Sequence, residues 1–544
     1  MRPVPSAATR IAVVALLGAL SLAFGLWGYS EYLVGARAEQ YGRGVLAMTY
    51  DTLQLFVLNF APMGDGGRIP WPLETARFLA PTVTLYAFIE AAHTIFADRW
   101  RRWRIRRVKQ HAIVVGQTPE ALELASTLGV PGRDVVRVDS GTLDELEDAG
   151  IRGAQVLYLC AEDNLDSAVN LAVTLTRIGG TRIGTPLKAY AHISDPALAT
   201  ALRARRLGIA ASPQLRLDFF NLQELAAREL VRRQPMVSGP VVIVGLGRFG
   251  RRVLIELALL WRLHPGPDRL AVRLVGPDAA RAAGEITGHW RVVRESCDLR
   301  CADTLDAEVP TPDRVYLCDE DEQAALRTGL TAASLWRGGT RSVVIRLNRL
   351  GRHGTAFHGP GGELLDDLDG RLWLIGVNEL ACRPAVIQED LLEHLARAIH
   401  EHYVAEQLAT GEAMGVRPTM CTWEELAEHY RTASRDQAAH IGAKLRMIGC
   451  TLAPSDGDGP PHSLSADELE LLATVEHQRW LDERTSAGWR YGPQRDDERR
   501  LHPSVVGWDE LSESERDKDR NAISRLPDIL NDVGLRIVRL GPPN

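Results

Sequence analysis

The chain has 544 residues, 45% of them hydrophobic and 24% charged, which is typical of a folded protein with several domains and excludes a largely disordered one. The formal net charge of -7 argues against a nucleic-acid partner, because nucleic-acid-binding proteins usually carry a basic surplus. The seven cysteines include no CxxC pair and no cysteine–histidine zinc spacing, so neither a disulfide framework nor a zinc site is expected.

Residues 1–109 are expected to form a two-span membrane module. Residues 11–34 are apolar apart from two serines and Glu31, and this run exceeds the roughly 20 residues that a membrane-spanning helix requires. A secretory signal peptide is the alternative, but its apolar region would be shorter. A second apolar run, 78–97, precedes six arginines and one lysine between residues 99 and 109, and such basic clusters stay on the cytoplasmic side. The protein is therefore predicted to lie in the cell (inner) membrane, with both termini and most of the chain in the cytoplasm.

The segment between the two predicted spans is also apolar. Residues 49–60 (TYDTLQLFVLNF) are too few to cross a membrane, which predicts a short re-entrant or interfacial helix. In the second predicted span, Glu90 and His93 lie one helical turn apart. Ionisable residues inside a membrane either serve a function or form polar contacts that hold helices together. The order of span, short helix, loop and span resembles the pore module of two-span potassium channels, although residues 59–67 contain no TVGYG-like filter. The resemblance implies a role in ion transport.

Residues 110–235 alternate short β-branched runs with helical segments, which predicts a doubly wound parallel sheet. Strands are expected at 111–116, 135–138, 156–160 and 186–192, and helices at 120–128 and 164–178. The turn after the first strand keeps only Gly116 of the glycine fingerprint of nucleotide-binding folds. This copy is therefore expected to be structural, or to bind a nucleotide weakly.

Residues 236–378 repeat the pattern with an intact GxGxxG motif between a strand and a helix. Further strands are expected at 272–275, 315–318 and 342–347. The first glycine permits the tight turn, the second lets the backbone approach a phosphate, and the third lets the helix pack on the strand, while the helix N-terminus attracts anions. The predicted cofactor-binding residues are Gly245, Gly247, Arg248, Phe249, Gly250 and Asp278. The alternative is that the glycines serve packing alone.

Two such domains behind a pore-like module resemble the regulators of conductance of potassium (RCK) and the Trk-type (TrkA-N) nucleotide-binding subunits. Residues 163–170 (DNLDSAVN) add to this resemblance, because they match the acid-then-Asn segment that follows the fourth strand in that family. The resemblance implies that the domains bind NAD(H) or an adenine nucleotide and that binding moves a gate.

The C-terminal third contains one helical unit used twice, in residues 379–460 and 461–544. Pro418 recurs as Pro503, at an offset of 85 positions. Eight more pairs recur at this offset: Trp423/Trp508, Glu425/Glu510, Leu426/Leu511, Glu428/Glu513, Arg431/Arg516, Arg435/Arg520, Leu445/Leu530 and Gly449/Gly534. Upstream, Tyr403 and Trp480 hold similar places after an acid–His stretch. Self-similarity of this extent predicts that both copies have the same fold.

The second copy contains the sequences EHQRW at 476–480, GWRYGP at 488–493 and WDEL at 508–511. This order resembles the RyR domain, the repeat named after ryanodine receptors and also found in bacteria, and the first copy resembles a degenerate RyR-like repeat. Aromatic faces beside cations would suit a ligand with a ring and phosphates. The predicted ligand-binding residues are Trp480, Trp489, Tyr491, Arg495 and His502. The alternative is that the aromatic residues form the domain core and the arginines lie in a solvated loop.

The expected fold class is α/β plus α: N-terminal transmembrane helices, two doubly wound parallel-sheet Rossmann-like domains, and a mainly helical tandem RyR-like repeat. No nucleophile elbow, HExxH motif, P-loop or kinase motif is present, so an enzyme is not expected. The sequence predicts a membrane-anchored ligand sensor, either a nucleotide-responsive ion channel or an ion-transport regulator. Its expected partners are the lipid bilayer, a nucleotide or nucleotide-derived small ligand, and further copies of the chain. The alternative is a non-conducting regulatory or scaffold protein that docks on another transporter.

Overall fold

The computed structural model of the chain describes residues 7–34, 44–59, 68–105, 108–129, 134–161, 186–207, 215–264, 268–305, 312–332, 335, 342–351, 370–457, 461–496 and 498–541. They belong to two compact units, Met1–Arg107 and Val108–Asn544. Each unit has a buried core of its own.

Three helices make up the N-terminal unit: α1 (Ala7–Tyr32), α2 (Val45–Leu55) and α3 (Trp71–Ile105). Glycines let α1 approach its neighbours closely, since a Cβ atom on Gly28 would lie 2.4 Å from the backbone nitrogen of Leu73 on α3. Gly25 lies in the same way beside Thr52 of α2. The three helices therefore form one small core, to which Leu55 and Leu73 belong.

Among the described residues, one stretch, Ala12–Tyr32, is long and apolar enough to cross a membrane, and it coincides with the first predicted span. The second predicted span falls inside α3, whose 35 residues also include part of the basic cluster, and a second crossing stays a prediction. Glu90 is half-buried on α3, whereas the side chain of His93 lies outside the described part. A short helix is present between the two, but it is α2 and begins before the predicted segment. Residues 60–67 of the predicted re-entrant loop lie outside the described residues.

The first Rossmann-like domain has five parallel strands. They are β1 (Ala112–Val115), β2 (Val135–Val138), β3 (Val156–Leu159), β4 (Leu187–His192) and β5 (Leu215–Phe220). The described helices are α4 (Pro119–Leu128), α5 (Leu143–Asp148), α6 (Pro196–Arg206) and α7 (Leu222–Arg233). The strand order β2-β1-β3-β4-β5 is that of a doubly wound sheet, as predicted. β5 and α7 were not anticipated from the sequence, and residues 163–170 and the helix expected at 164–178 lie outside the described part.

The second Rossmann-like domain has six parallel strands. They are β6 (Val241–Val244), β7 (Leu270–Val275), β8 (Cys297–Ala302), β9 (Arg314–Leu317), β10 (Ser342–Leu347) and β11 (Leu372–Gly376). The described helices are α8 (Arg248–Trp261), α9 (Ala279–His289), α10 (Arg291–Ser296), α11 (Glu322–Thr331), α12 (Val377–Ala381) and α13 (Pro384–Ile387). Read from β8, the order is β8-β7-β6-β9-β10-β11: β7 and β8 lie on one side of β6, and β9, β10 and β11 lie on the other, so the strand order switches between β6 and β9. Ligands of open α/β sheets bind at the carboxyl end of such a switch point.

The two Rossmann-like domains share one apolar core, because α7 of the first domain packs on α8 of the second. Leu225 and Leu230 on α7 and Val253 and Leu257 on α8 are all buried in it. The two sheets are thus held as one body within the C-terminal unit.

The C-terminal repeats are mainly helical. Their elements are α14 (Leu391–Ala409), α15 (Glu428–Met447), β12 (Cys450–Pro454), α16 (Ala466–Ser486), β13 (Arg490–Tyr491), β14 (Leu501–His502), α17 (Glu513–Ser524), α18 (Leu526–Asp532) and β15 (Leu535–Arg539). β12 of the first repeat pairs antiparallel with β15 of the second. A buried ion pair between Lys444 and Glu476 also joins the repeats, so they form one domain around a shared core.

Candidate functional site

The glycine turn, residues 245–250, connects β6 to α8 at the switch point of the second sheet. Two of its three glycines are required by the fold. Gly245 has φ +83°, and a Cβ atom there would lie 2.7 Å from the backbone nitrogen of Asp319. A Cβ atom on Gly250 would lie 2.1 Å from the carbonyl oxygen of Gly245. Packing and backbone strain therefore explain both residues without a ligand.

Gly247 is different from the other two glycines. It has φ -66° and ψ -172°, which any residue can adopt. The nearest atom to a Cβ there is Oε1 of Glu320 at 2.8 Å, at the end of a flexible and exposed side chain. Neither strain nor backbone packing requires glycine here, so the open backbone at Gly247 fits the close approach of a phosphate.

The other predicted cofactor-binding residues surround this turn in different ways. Arg248 donates a hydrogen bond of 2.8 Å to the carbonyl oxygen of Ser194 in the first Rossmann-like domain. Phe249 is buried in the core, which leaves its backbone N–H as the group it can offer. Asp278 directly precedes α9 and forms an exposed ion pair of 3.2 Å with Arg281. The role of Asp278 toward a ribose stays a prediction.

The equivalent turn of the first Rossmann-like domain is filled by the chain itself. Thr118 stands where the second glycine of the fingerprint would be, and its hydroxyl donates to the carbonyl oxygen of Cys160 at 2.8 Å. α12 packs against α4, and Asn378 of α12 donates to the carboxylate of Glu120 in the first turn of α4. This closure gives a physical reason for the expectation that the first copy is structural.

A cavity of about 970 Å³ runs from the glycine turn along α8. Its walls are α8, α7 of the first Rossmann-like domain, and α14 of the first C-terminal repeat. Gly247 and Arg248 line the cavity, as does Trp423 of the first repeat. The glycine turn therefore opens into a space bounded by three domains.

Buried polar and charged side chains join these three walls. Glu256 of α8 accepts hydrogen bonds from Arg252 at 2.9 Å and from Arg228 of α7 at 3.3 Å. Arg228 also contacts the imidazole of His394 on α14, at 2.5 Å. Burial would raise the pKa of Glu256, but Arg252 and Arg228 outweigh it and lower that pKa to about 2. Glu256 is thus an ionised carboxylate that holds α7 and α8 together.

The C-terminal end of α8 contacts both repeats. Arg262, the residue after α8, forms an ion pair with Asp532 of α18 and lies 3.1 Å from Nε2 of His402 on α14. His402 and Asp532 are themselves 2.6 Å apart. Because a helix is a rigid element, α8 connects the glycine turn to the repeats over its whole length.

The two C-terminal repeats share one arrangement of a tryptophan, two arginines and a glutamate. In the first, the guanidinium groups of Arg431 and Arg435 each lie 5.9 Å from the ring of Trp423, and Arg435 forms a two-bond ion pair with Glu393 of α14. In the second repeat the same roles are taken by Trp508, Arg516, Arg520 and Glu470. The recurring tryptophan and arginines thus join the helices of each repeat, as the sequence repeat implied. The acidic partners Glu393 and Glu470 precede the aligned window and were missed.

The predicted ligand-binding residues of the second repeat are only partly brought together. His502 lies at the edge of Trp480, with ring centroids 5.2 Å apart, and 6.2 Å from Trp489. Arg484 lies over both tryptophans, at 5.6 and 5.3 Å, a position that the sequence analysis did not anticipate. Trp480 and Trp489 are half-buried, so neither is a pure core residue.

Two further predicted residues lie on the outside of this aromatic group. Tyr491 is 60% exposed on β13, and Arg495 is exposed in the loop that follows. Both are accessible to a ligand, but their contact with one stays a prediction.

Comparisons with known proteins identify one part of the chain. Residues 464–539 match the family model of the RyR domain, which confirms the predicted identity of the second repeat. The first repeat lies outside the match. The chain also aligns with a crystal structure of GsuK bound to ADP, at 15% identity over 74% of this chain and 97% of the other, with a TM-score of 0.30. A structure of the GsuK channel aligns at 17% identity over 68% and 97%, also with a TM-score of 0.30. These TM-scores are too low to establish a shared fold along the chain.

Proposed function

We propose that the chain is a membrane-anchored sensor, not an enzyme, that binds an adenine nucleotide or NAD(H) at the glycine turn and thereby regulates ion transport. The observation that carries the proposal is Gly247. It is the one glycine of the turn that neither φ nor backbone contact requires, and it lies at the sheet position where α/β folds bind phosphates.

The residues present fit such a ligand. The first turn of α8 contains no acidic residue, and its N-cap residue, Gly247, has no side chain that could cap the first N–H groups, so a phosphate would find donors there. Asp278, beyond the neighbouring strand β7, is the candidate for a ribose hydroxyl. Ligand binding would also affect the first Rossmann-like domain, because Arg248 of the glycine turn donates a hydrogen bond to Ser194 of that domain.

Signal transmission is proposed to follow α8. A ligand can shift a conformational equilibrium only through its different affinities for the two states. Since α8 contacts α7 through Glu256 and the repeats through Arg262, movement at the turn would alter both contacts. The aromatic group at Trp480, Trp489 and His502 is proposed as a second place for a nucleotide-derived ligand.

The output is proposed to be ion flux through a membrane domain built by several copies of the chain. It rests on the apolar helix Ala12–Tyr32 and on the order of a long helix, a short helix and a long helix in α1, α2 and α3 of the N-terminal unit. A non-conducting regulator of another transporter would share the sensor but not the flux.

Calorimetry on the full chain in detergent tests the sensor, with ADP and NAD⁺ as probes. Gly247→Ala should abolish binding, because the methyl group occupies the phosphate approach, while folding is retained. The matched control is Gly284→Ala on α9, where a Cβ atom meets open space. Equal binding by wild type and Gly247→Ala would contradict the proposal, as would the absence of binding to wild type. Ion flux through liposomes that contain the purified protein then distinguishes a channel from a non-conducting regulator. Nucleotide binding without any ion flux would favour the non-conducting regulator.

A further inference from the structure

We infer that the carboxylate of Glu320 is a built-in competitor for the anionic ligand of the glycine turn, and that it sets the affinity of the site. The inference rests on the proposed function. Glu320 follows β9, the strand beside β6 at the switch point, and its side chain extends over the turn.

The position of Glu320 is defined by its distances to Gly247. Its Oε1 lies 2.8 Å, and its Cδ 3.3 Å, from the place of a Cβ atom on Gly247. The backbone of this segment is held by Arg346, since one of its guanidinium nitrogens lies 3.5 Å from the carbonyl oxygens of Asp319 and Glu320. The carboxylate thus occupies the space through which a phosphate would approach the backbone of Gly247.

The neighbouring acids are engaged elsewhere. Asp321 caps α11, accepting from the backbone nitrogens of Gln323 and Ala324. Glu322 accepts from the backbone nitrogen of Asn348 at 2.5 Å. Asp319 accepts from the backbone nitrogen of Asp321 at 3.3 Å. Within the run of four acids at 319–322, Glu320 is therefore the one whose carboxylate lies beside Gly247.

Electrostatics explains why this carboxylate would stay at the turn. The N-terminus of a helix carries roughly half a positive charge, and a carboxylate there is stabilised. A ligand phosphate seeks the same partial charge and has the same sign as Glu320. Binding must then either displace the side chain or accept the repulsion between the two anions.

The expected size of the effect follows from Coulomb's law. Two unit charges about 4 Å apart in water change an equilibrium about fivefold, and more where the dielectric constant is lower. Removing the charge of Glu320 should therefore tighten binding by about tenfold. Because exposed charges are screened, the gain should shrink as the salt concentration rises.

The test compares three full-length proteins in detergent by calorimetry, with ADP and NAD⁺ as probes: wild type, Glu320→Gln and Asp319→Asn. Asp319→Asn is the matched control, because it removes one negative charge from the adjacent residue without touching the side chain over Gly247. Glu320→Gln should bind about tenfold more tightly at low salt, and Asp319→Asn should gain less than about threefold.

Each other outcome overturns the inference. Unchanged or weaker binding by Glu320→Gln would show that the carboxylate does not compete with the ligand. An equal gain in affinity in Asp319→Asn would show that only the net charge of the protein matters, not the position of Glu320. If wild type binds and Glu320→Gln does not differ, the proposed function stands and the inference alone fails. If neither protein binds either probe, both fail.

Discussion

Glu256→Gln should destabilise the C-terminal unit strongly while changing almost nothing in shape. Glu256 is 8% exposed, and its carboxylate holds the guanidinium groups of Arg228 and Arg252, which are equally buried. Glutamine keeps the size and an oxygen acceptor but removes the charge, so both buried arginines lose the carboxylate that pairs with them directly. Breaking a buried ion pair in this way costs about 3–5 kcal/mol.

The lowered pKa of Glu256 expresses the same interaction as a dependence on pH. Its decrease from 4.5 to about 2 corresponds to about 3 kcal/mol at about 1.4 kcal/mol per pKa unit. Because the pKa is lowered in the folded state, this contribution is present above the unfolded-state value and is lost as the pH falls from about 4.5 toward 2. The free energies of unfolding of wild type and Glu256→Gln should therefore differ by the full amount at pH 7 and become similar as the pH falls toward 2.

Urea unfolding of the full chain in detergent, followed by tryptophan fluorescence, measures the difference. Glu285→Gln is the matched control, since Glu285 of α9 pairs with Arg251 of α8, the helix of Glu256, but is 39% exposed, and exposed ion pairs contribute little to stability. Adding Arg228→Met to Glu256→Gln should recover part of the loss, because one unpaired charge disappears. The reasoning is refuted if Glu256→Gln costs no more than Glu285→Gln.

Three further predictions concern the repeats. Trp423→Ala should cost about 3–5 kcal/mol by urea unfolding, since Trp423 is 5% exposed among apolar side chains; a loss below about 1 kcal/mol would show that the site is not packed. Tyr491→Ala and Arg495→Ala, at exposed positions, should each change stability by less than about 0.5 kcal/mol while weakening a nucleotide response, and destabilisation equal to that of Trp423→Ala would mean that the loop is core. Burial would lower the pKa of His477, but its contacts with Asp519 and a backbone carbonyl raise it, so this stabilisation is full below about pH 6.5 and is lost as the pH rises through the folded-state pKa. Asp519→Asn should remove the pH dependence, and an unchanged profile would rule out this pair as its source.

Local patterns determined the elements of this fold. The alternation of β-branched runs and helical segments predicted the two parallel sheets, because the hydrophobic periodicities of strands and helices depend on residues that are close in sequence. The offset of 85 residues likewise predicted that Trp423 and Trp508 would take the same role, and both tryptophans do lie under paired arginines. Burial did not follow from the repeat, since Trp508 is half-buried and Trp423 almost fully buried.

The sequence by itself thus determined that a glycine turn joins a strand to a helix, and that one helical unit occurs twice. Only the tertiary structure decided which segments lie against them. Glu320 lies over Gly247, and Glu256 pairs with Arg228, because sheet order and helix packing bring together residues that are distant in sequence. His400 and His477, whose rings each lie 5.9 Å from the recurring tryptophan of their repeat, show the same limit. The pKa of His400 is lowered by burial, whereas that of His477 is raised, since an aspartate lies beside His477. Charges act through space, so their effects depend on neighbours that no local pattern specifies.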